Sequence, residues 1–477
     1  MSARRAIAAV ADEFVEHDAD VESGDALRWP GYAAQLRGAR DRSGEAEAVV
    51  CGHARVGAIG VAIIAFDFAF MGGSLGEVTG RKVVDTITRA RVDGRPLVTL
   101  VASGGCRMQE GMRSLVQMQR LAAACHELRA AGLPHISVVR HPTTGGVWAA
   151  LAAGADLILA ERGATVAFAG RRVRGDAQHD SDAFTADGQH AAGQVDMIID
   201  QADLRSTLAL LVDLLAAAPS GVPAPAEIPR ALGRADLPHD GWTAVQRARH
   251  PDRPRAHHYL ERYFGARVPI SGDRAGGTDP GMLCGLGRPD GRTIAYAAQA
   301  GTPTTPAGFR TAARLIRLAD RLHLPILTLI DTPGAANDSA AERAGLGAAI
   351  NDLLAAIAGA HVPITTLIIG EGGSGGALAL ASPTRAWITP DAYFAVIAPE
   401  AATAILKRHP AEVPVTAEHL RLRPQDLLEL GIVQGIAQPL PPGAGPADER
   451  AAGLPAARRK SAATHAIETV PTGRGRH

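Results

Sequence analysis

Aromatic residues are scarce, at 4% of 477 positions, and there is no net charge, with 49 Lys and Arg against 49 Asp and Glu. That balance excludes a broad electrostatic footprint for nucleic acid. Cysteine is nearly missing. The four present, Cys51, Cys106, Cys125 and Cys284, form no CxxC pair, and none lies in residues 1–50. This argues against a zinc ribbon and against a disulfide framework, so no metal is expected. No apolar run reaches the ~18 residues of a membrane span. Residues 56–70 are broken by Asp67, and 208–218 by Asp213. The start, MSARRAIAAVADEFVEHDAD, turns acidic before any apolar core forms, which makes a poor signal peptide. A soluble cytoplasmic protein is expected, with neither a membrane nor a nucleic acid as partner.

What is present is apolar and glycine-rich. Hydrophobic residues reach 46% against 21% charged, enough for a real core. At ~100–200 residues per domain the length predicts two to four domains. Residues 1–45 are polar and read as a helical arm. Strands are expected within 48–70, 96–105, 134–146, 156–160 and 165–168, and helices over 77–92, 109–131 and 147–153. Strands alternating with helices predict an α/β layout with parallel strands. Four prolines in 219–230 mark a domain boundary. The Pro- and Gly-rich segment 439–477 is expected to be disordered.

The chain also repeats itself. RPLVTLVASGG at 95–105 matches LPILTLIDTPG at 324–334, and 133–170 matches 362–399. Two strand–loop–helix units with matched spacing imply two domains of one fold, over 46–225 and 226–438. Each domain carries two glycine turns after two strands. The first has Gly105–Cys106 and Gly145–Gly146; the second has Gly334–Ala335 and Gly375–Gly376. A helix N-terminus offers unpaired amides and a positive dipole end, so one amide from each turn could converge on one oxygen as an oxyanion hole. The same glycines also suit ordinary tight turns. Ser374 as a nucleophile would need a histidine that the sequence does not single out, and there is no GxxxxGK[ST] phosphate loop. The Cys106 sulfur would need an activating neighbour; otherwise only its amide is used. Arg81, Lys82 and the run RARHPDRPR (247–255) could meet phosphates or form internal ion pairs.

Longer motifs carry a resemblance. FMGGSLGEVTGRKV (70–83), ASGGCRMQEGMRSLVQM (102–118) and PTTGGVWAALAAGADLILAERGATVAFAG (142–170) resemble the β subunit of bacterial acetyl-CoA carboxylase carboxyltransferase. WTAVQRARHPDRPRAHHYLE (242–261), GDR (272–274), PAGFRTAARLIRLAD (306–320), DTPGA (331–335), IIGEGGSGGALAL (368–380) and YFAVIAPEAATAIL (393–406) resemble its α subunit. The chain is similar to a β–α fusion over roughly 50–435.

The resemblance implies two crotonase-like (ClpP/crotonase) domains of repeated ββα units. It implies transfer of a carboxyl group from carboxybiotin, borne by a biotin carboxyl carrier protein that a biotin carboxylase charges with ATP, to acetyl-CoA or a longer acyl-CoA. Malonyl-CoA would feed fatty acid biosynthesis. No cofactor would be bound directly. Gly105, Cys106, Gly145 and Gly146 would hold the acyl-CoA thioester, Gly334, Ala335, Gly375 and Gly376 the biotin, and Arg81 and Lys82 a CoA phosphate. A homodimer would complete the site. The sequence departs from the family in lacking the zinc ribbon, in SGGCR for SGGAR, and in altered loops at 300–308 and 335–340. A malonyl-type decarboxylase component and a catalytically degenerate scaffold subunit are the alternative readings.

Overall fold

A computed structural model describes residues 1–170, 181–216, 221–289 and 291–441. Short apolar runs, most of them buried along their length, build two eight-stranded sheets. The first runs β1 (Glu13–His17), β2 (Val49–Val56), β3 (Ile59–Phe66), β4 (Leu97–Ser103), β5 (His135–Thr144), β6 (Leu157–Glu161) and β8 (Met197–Ile199), with β7 (Val166–Ala167) paired on β5. The second comprises β9 (Ala266–Ile270), β10 (Met282–Arg288), β11 (Ile294–Gln299), β12 (Ile326–Thr332), β13 (Ile364–Gly373), β14 (Ala386–Ile388) and β16 (Gly435–Ile436), with β15 (Tyr393–Ala395) paired on β13. In each, two antiparallel pairings precede parallel ones.

The duplication extends to single pairings. Leu97 lies beside His135, and Ile326 beside Ile364. Both registers then shift at the same place, between Val101 and Ser103 and between Ile330 and Thr332. Even the buried hydroxyl pair recurs. Thr99 Oγ1 donates to Ser137 Oγ at 3.0 Å, and the Thr328 and Thr366 hydroxyls lie 2.7 Å apart. These pairs satisfy polar groups that would otherwise be stranded inside a sheet.

Several expected elements differ in detail. Residues 1–45 are not a loose arm. Their helix Ala3–Val10 buries Ala3, Ala6, Ile7 and Val10, and β1 extends the first sheet along β2. The local polarity of the segment hid its period-four apolar stripe. The single helix expected over 109–131 is broken at Gly111, with φ 53°, after a 3-10 turn Met108–Glu110, and continues as a short helix Met112–Leu115 followed by Gln117–Ala130. The Ala-rich helix after Gly146 is a π-turn, Trp148–Ala152. Residues 221–230 carry no helix or strand, while 217–220 and most of the segment 439–477 lie outside the described residues. Among the described residues no helix is long and apolar enough to cross a membrane, and no cluster of three His, Cys, Asp or Glu could hold a metal ion.

One apolar cluster runs through both halves, from Ile63, Leu100 and Leu211 to Leu286, Ile316 and Ile330. A row of arginines seals its polar edge. Arg310, Arg314, Arg317 and Arg321 recur at helical spacing on the helix Pro306–Arg321. Arg310 binds Asp273 and Arg317 binds Asp352, both within the second half. Arg314 and Arg321 cross to the first half, to Asp196 (2.7 Å) and Asp156 (2.6 Å). Arg274 joins Arg314 on Asp196, which also accepts the Ile158 amide at 2.8 Å. Burial alone would raise the Asp196 carboxyl, but Arg314 and Arg274 outweigh it and hold it below its ordinary value.

Replacing Arg314 by Leu is expected to cost about 3–5 kcal/mol at pH 7, because Asp196 loses one of its two cations while still buried. Guanidinium denaturation measures this. The Asp196 contribution is complete above its unfolded value of roughly 4 and is lost as pH falls through the lower folded value. Asp196→Asn is therefore expected to flatten the loss of stability of the wild-type protein below about pH 4.

Candidate active site

The two turns of the first half meet backbone to backbone. A Cβ placed on Gly145 would stand 2.7 Å from Gly105 Cα, and one on Gly146 would stand 2.9 Å from Cys106 Sγ and 2.7 Å from Met118 Sδ. Only glycine permits this approach, and Gly105 and Gly145 also have φ of 109° and 71°. The second half repeats the contact. A Cβ on Gly376 would collide with the Ala335 nitrogen, and Gly334 has φ 144°.

The hydrogen bonds narrow the candidate donors. Gly105 N–H donates to Ser103 Oγ at 3.1 Å, and Gly334 N–H to Thr332 Oγ1 at the same 3.1 Å. Gly145 N–H donates to Phe168 O at 2.9 Å. Those three amides hold the turns in shape and are not free for a ligand. The amides of Cys106 and Gly146 meet no acceptor among the described residues, nor do those of Ala335, Gly375 and Gly376. Each half thus leaves open one amide from its first turn, Cys106 or Ala335, and one from its second, Gly146 or Gly375, with Gly376 a third in the second half; fixed N–H donors of this kind can receive an outside oxygen. Around Gly375 nothing approaches within 4 Å of an added Cβ. A cavity of about 530 Å³ reaches Ala336, the residue after Ala335, and is walled by Ala275–Thr278, Thr305–Ala307 and Ala340 together with the charged Arg310 and Asp338.

Each first turn is braced by a buried ion pair. Arg107 follows Cys106 and its side chain is fully buried. Its guanidinium binds Glu47, Glu110 (3.0 Å) and Ser23 Oγ (2.9 Å). This ties the turn to the segments around residues 23 and 47. Burial alone would raise the Glu47 carboxyl, but Arg107 outweighs it and keeps it below its usual range. In the second half Asp331 is braced by Arg253 and by Arg255 at 3.2 Å. Arg249 binds Glu371 at 2.8 Å and also Glu400. The run 247–255 is thus committed to internal ion pairs and is not a phosphate cradle. No local pattern paired these arginines with residues some 60–150 positions away.

Other sequence candidates resolve differently. Burial pushes the Cys106 thiol up, and Arg107 points into its own buried cluster, so the sulfur is not an activated nucleophile. Lys82 is 2% exposed and faces the core, out of reach of a phosphate arriving from solvent. Arg81 is exposed but lines a cavity of about 490 Å³ together with Glu22, Asp25, Glu77, Glu110 and Arg113. Four carboxylates against two guanidiniums do not favour a phosphate there. Ser374 has φ 54° and no histidine partner among the described residues. His135 is buried, 3.1 Å from Thr99 Oγ1, and its pKa is lowered to about 4 by burial.

Residues 29–227 match the family model "Carboxyl transferase domain", and residues 238–459 match "Acetyl co-enzyme A carboxylase carboxyltransferase-like". The chain is 41% identical over 436 residues to the acetyl-coenzyme A carboxylase carboxyl transferase subunits beta/alpha of Salinispora arenicola, covering 86% of this chain and 76% of that protein. It is 34% identical over 453 residues to a probable biotin-dependent acyl-coenzyme A carboxylase beta3 subunit of Mycobacterium bovis, covering 92% and 89%. The structure resembles that of transcarboxylase 12S with a TM-score of 0.76 at 20% identity, over 97% of this chain and 92% of the other. That likeness supports the crotonase-like fold of both halves.

Arg107→Met is expected to destabilise the protein by about 3–5 kcal/mol, since Glu47 would be left buried and unpaired. Cys106→Ala keeps the turn and its amide, and is expected to cost less than about 1.5 kcal/mol in the same denaturation measurement.

Proposed function

The chain belongs to the acetyl-CoA carboxylase carboxyltransferase family, with β-like and α-like parts in one polypeptide, and we propose how its two halves share the work. It is the carboxyltransferase of a biotin-dependent acyl-CoA carboxylase. In our reading the acyl acceptor is acetyl-CoA, with propionyl-CoA or a longer acyl-CoA as alternatives. The donor is carboxybiotin on a carrier protein, recharged by a biotin carboxylase. The observation that carries this reading is the pair of open amides in each half, because the reaction develops negative charge at two oxygens.

Cys106 and Gly146 N–H would receive the thioester oxygen as it becomes enolate-like. Ala335 and Gly375 N–H would receive the ureido oxygen. Carboxybiotin supplies the carboxyl group and, once that has left, a ureido nitrogen basic enough for the substrate α-proton. The chain's part is to orient both groups and hold amide dipoles at fixed positions, which costs no reorganisation during the reaction. This chemistry needs no side-chain base.

We also propose that a second copy completes the site. Met108, Met112 and Leu115 are exposed beside the first turn, and Leu378, Val396, Ile405 and Leu406 in the second half. Covering them would bring the two kinds of amide pair together.

The decisive assay offers malonyl-CoA, and separately methylmalonyl-CoA, with and without free biotin, and follows loss of the carboxyl group. Biotin-dependent loss is expected. Loss without biotin would favour a malonyl-type decarboxylase, and no loss with either a scaffold subunit. Gly375→Val, whose Cβ has open space around it, is expected to lower turnover about 10²–10³-fold, with a circular-dichroism melt showing that the protein still folds. Light scattering at micromolar concentration is expected to give a dimer or a higher assembly; a monomer would refute the shared site.

A further inference from the structure

We infer that Gln299 is a positioning residue for the second amide pair, a role that rests on the carboxyltransferase reading. Gln299 ends β11 and is fully buried. Its Nε2 donates to Gly376 O at 2.9 Å and to Thr304 Oγ1 at 3.1 Å. A carbonyl has no proton to give, so the nitrogen must face it, and the orientation of the side-chain amide is decided. Oε1 meets no partner among the described residues. Thr304 in turn brackets Ala335. Its N–H donates to Gly334 O at 3.0 Å and its carbonyl accepts from Ala336 N–H at 2.9 Å. Gly376 lies in the short helix Ser374–Leu378, packed against the Ala335 nitrogen. One side chain thus connects the segment that frames the Ala335 amide to the carbonyl of Gly376, the residue after Gly375. It sets the separation of the two open donors.

The first half has no such clamp from its corresponding strand, β3. Ala62 pairs with Leu97 as Ala295 pairs with Ile326, so position 66 is the twin of position 299. Phe66 stands there, packed in an apolar core. The fold therefore accepts an apolar side chain at this place. A buried amide with an unmet acceptor is a stability cost that Phe66 does not carry. The polar side chain contributes something other than packing, and its two bonds lead to the two turns of the second site. The halves are asymmetric in this one respect: Leu75 brackets Cys106 as Thr304 brackets Ala335, and Thr144 Oγ1 donates to Ser103 O at 3.3 Å, but only in the second half does a side chain from the neighbouring strand reach both turns.

The test compares Gln299→Leu and Gln299→Glu with the wild-type protein. In Gln299→Leu the melting temperature is expected to stay equal or rise. The biotin-dependent loss of carboxyl from malonyl-CoA should fall about tenfold or more, in kcat or through KM for free biotin. KM for malonyl-CoA should stay within about twofold. In Gln299→Glu the activity relative to wild type should recover as pH falls from about 8 to about 6, when the introduced carboxyl regains a proton to donate. Backbone hydrogen exchange gives a readout independent of turnover. Segments 333–337 and 373–378 should exchange faster in Gln299→Leu, while 103–107 and 144–147 should not. Unchanged kinetics and exchange, or KM for malonyl-CoA rising in parallel with that for biotin, would overturn the inference. So would a lowered melting temperature with exchange accelerated everywhere, which marks a merely structural role. If the wild-type protein itself releases no carboxyl group, the carboxyltransferase reading fails, and the exchange measurement still judges the clamp.

Discussion

A buried aspartate from the first half, Asp196, is held by two arginines from the second, Arg274 and Arg314. An isolated carboxylate in that position would be expensive, and two guanidiniums in water would bring no order. The cost of burying Asp196 is met only when both halves are folded and docked. The same helix sends Arg321 to Asp156, so the docking is fixed at two points along one face. Beneath these ion pairs runs the shared apolar cluster. Hydrophobic burial supplies most of the attraction, but it is non-directional. The arginine row supplies the direction.

The chemistry depends on the same separation of roles at smaller scale. Glycine lets two turns touch in each half, and a hydroxyl on the preceding strand, Ser103 or Thr332, occupies the amide that would otherwise point astray. What remains open in each half includes one N–H from each turn. Buried ion pairs then brace the first turns from behind, Arg107 with Glu47 and Asp331 with Arg253. In the proposed scheme the groups offered to the substrates are main-chain amides, which substitution alters only through their surroundings. Neighbours such as Cys106 Sγ can therefore vary while the site persists.

Much of this was legible in the residues. The helix Glu77–Val92 and the strands β4 and β5 fall where the apolar periodicity places them, because their patterns are long and bounded by glycine and proline. The glycine turns were legible as turns, and their duplication pointed to two equivalent half-sites. The helix Ala3–Val10 was not legible as part of the core. Its apolar residues are mostly alanines, and it packs against β2, β3 and β4, strands that begin about 40 or more residues later. Lys82 looked available because it follows Arg81 in a basic pair, yet successive helical positions face different directions, and Lys82 faces inward.

By itself the sequence determined the α/β class, the internal duplication, the positions of the turns and the carboxyltransferase family. These rest on local periodicity, on glycine's conformational freedom and on long motifs, all of which a linear string preserves. Only the tertiary structure decided which amides are open, which arginines are spent on internal pairs, and that Gln299 joins Thr304 to Gly376. Each of those depends on whether a donor has met an acceptor from a distant segment. That is settled when the segments pack, and no single stretch of the chain contains both partners.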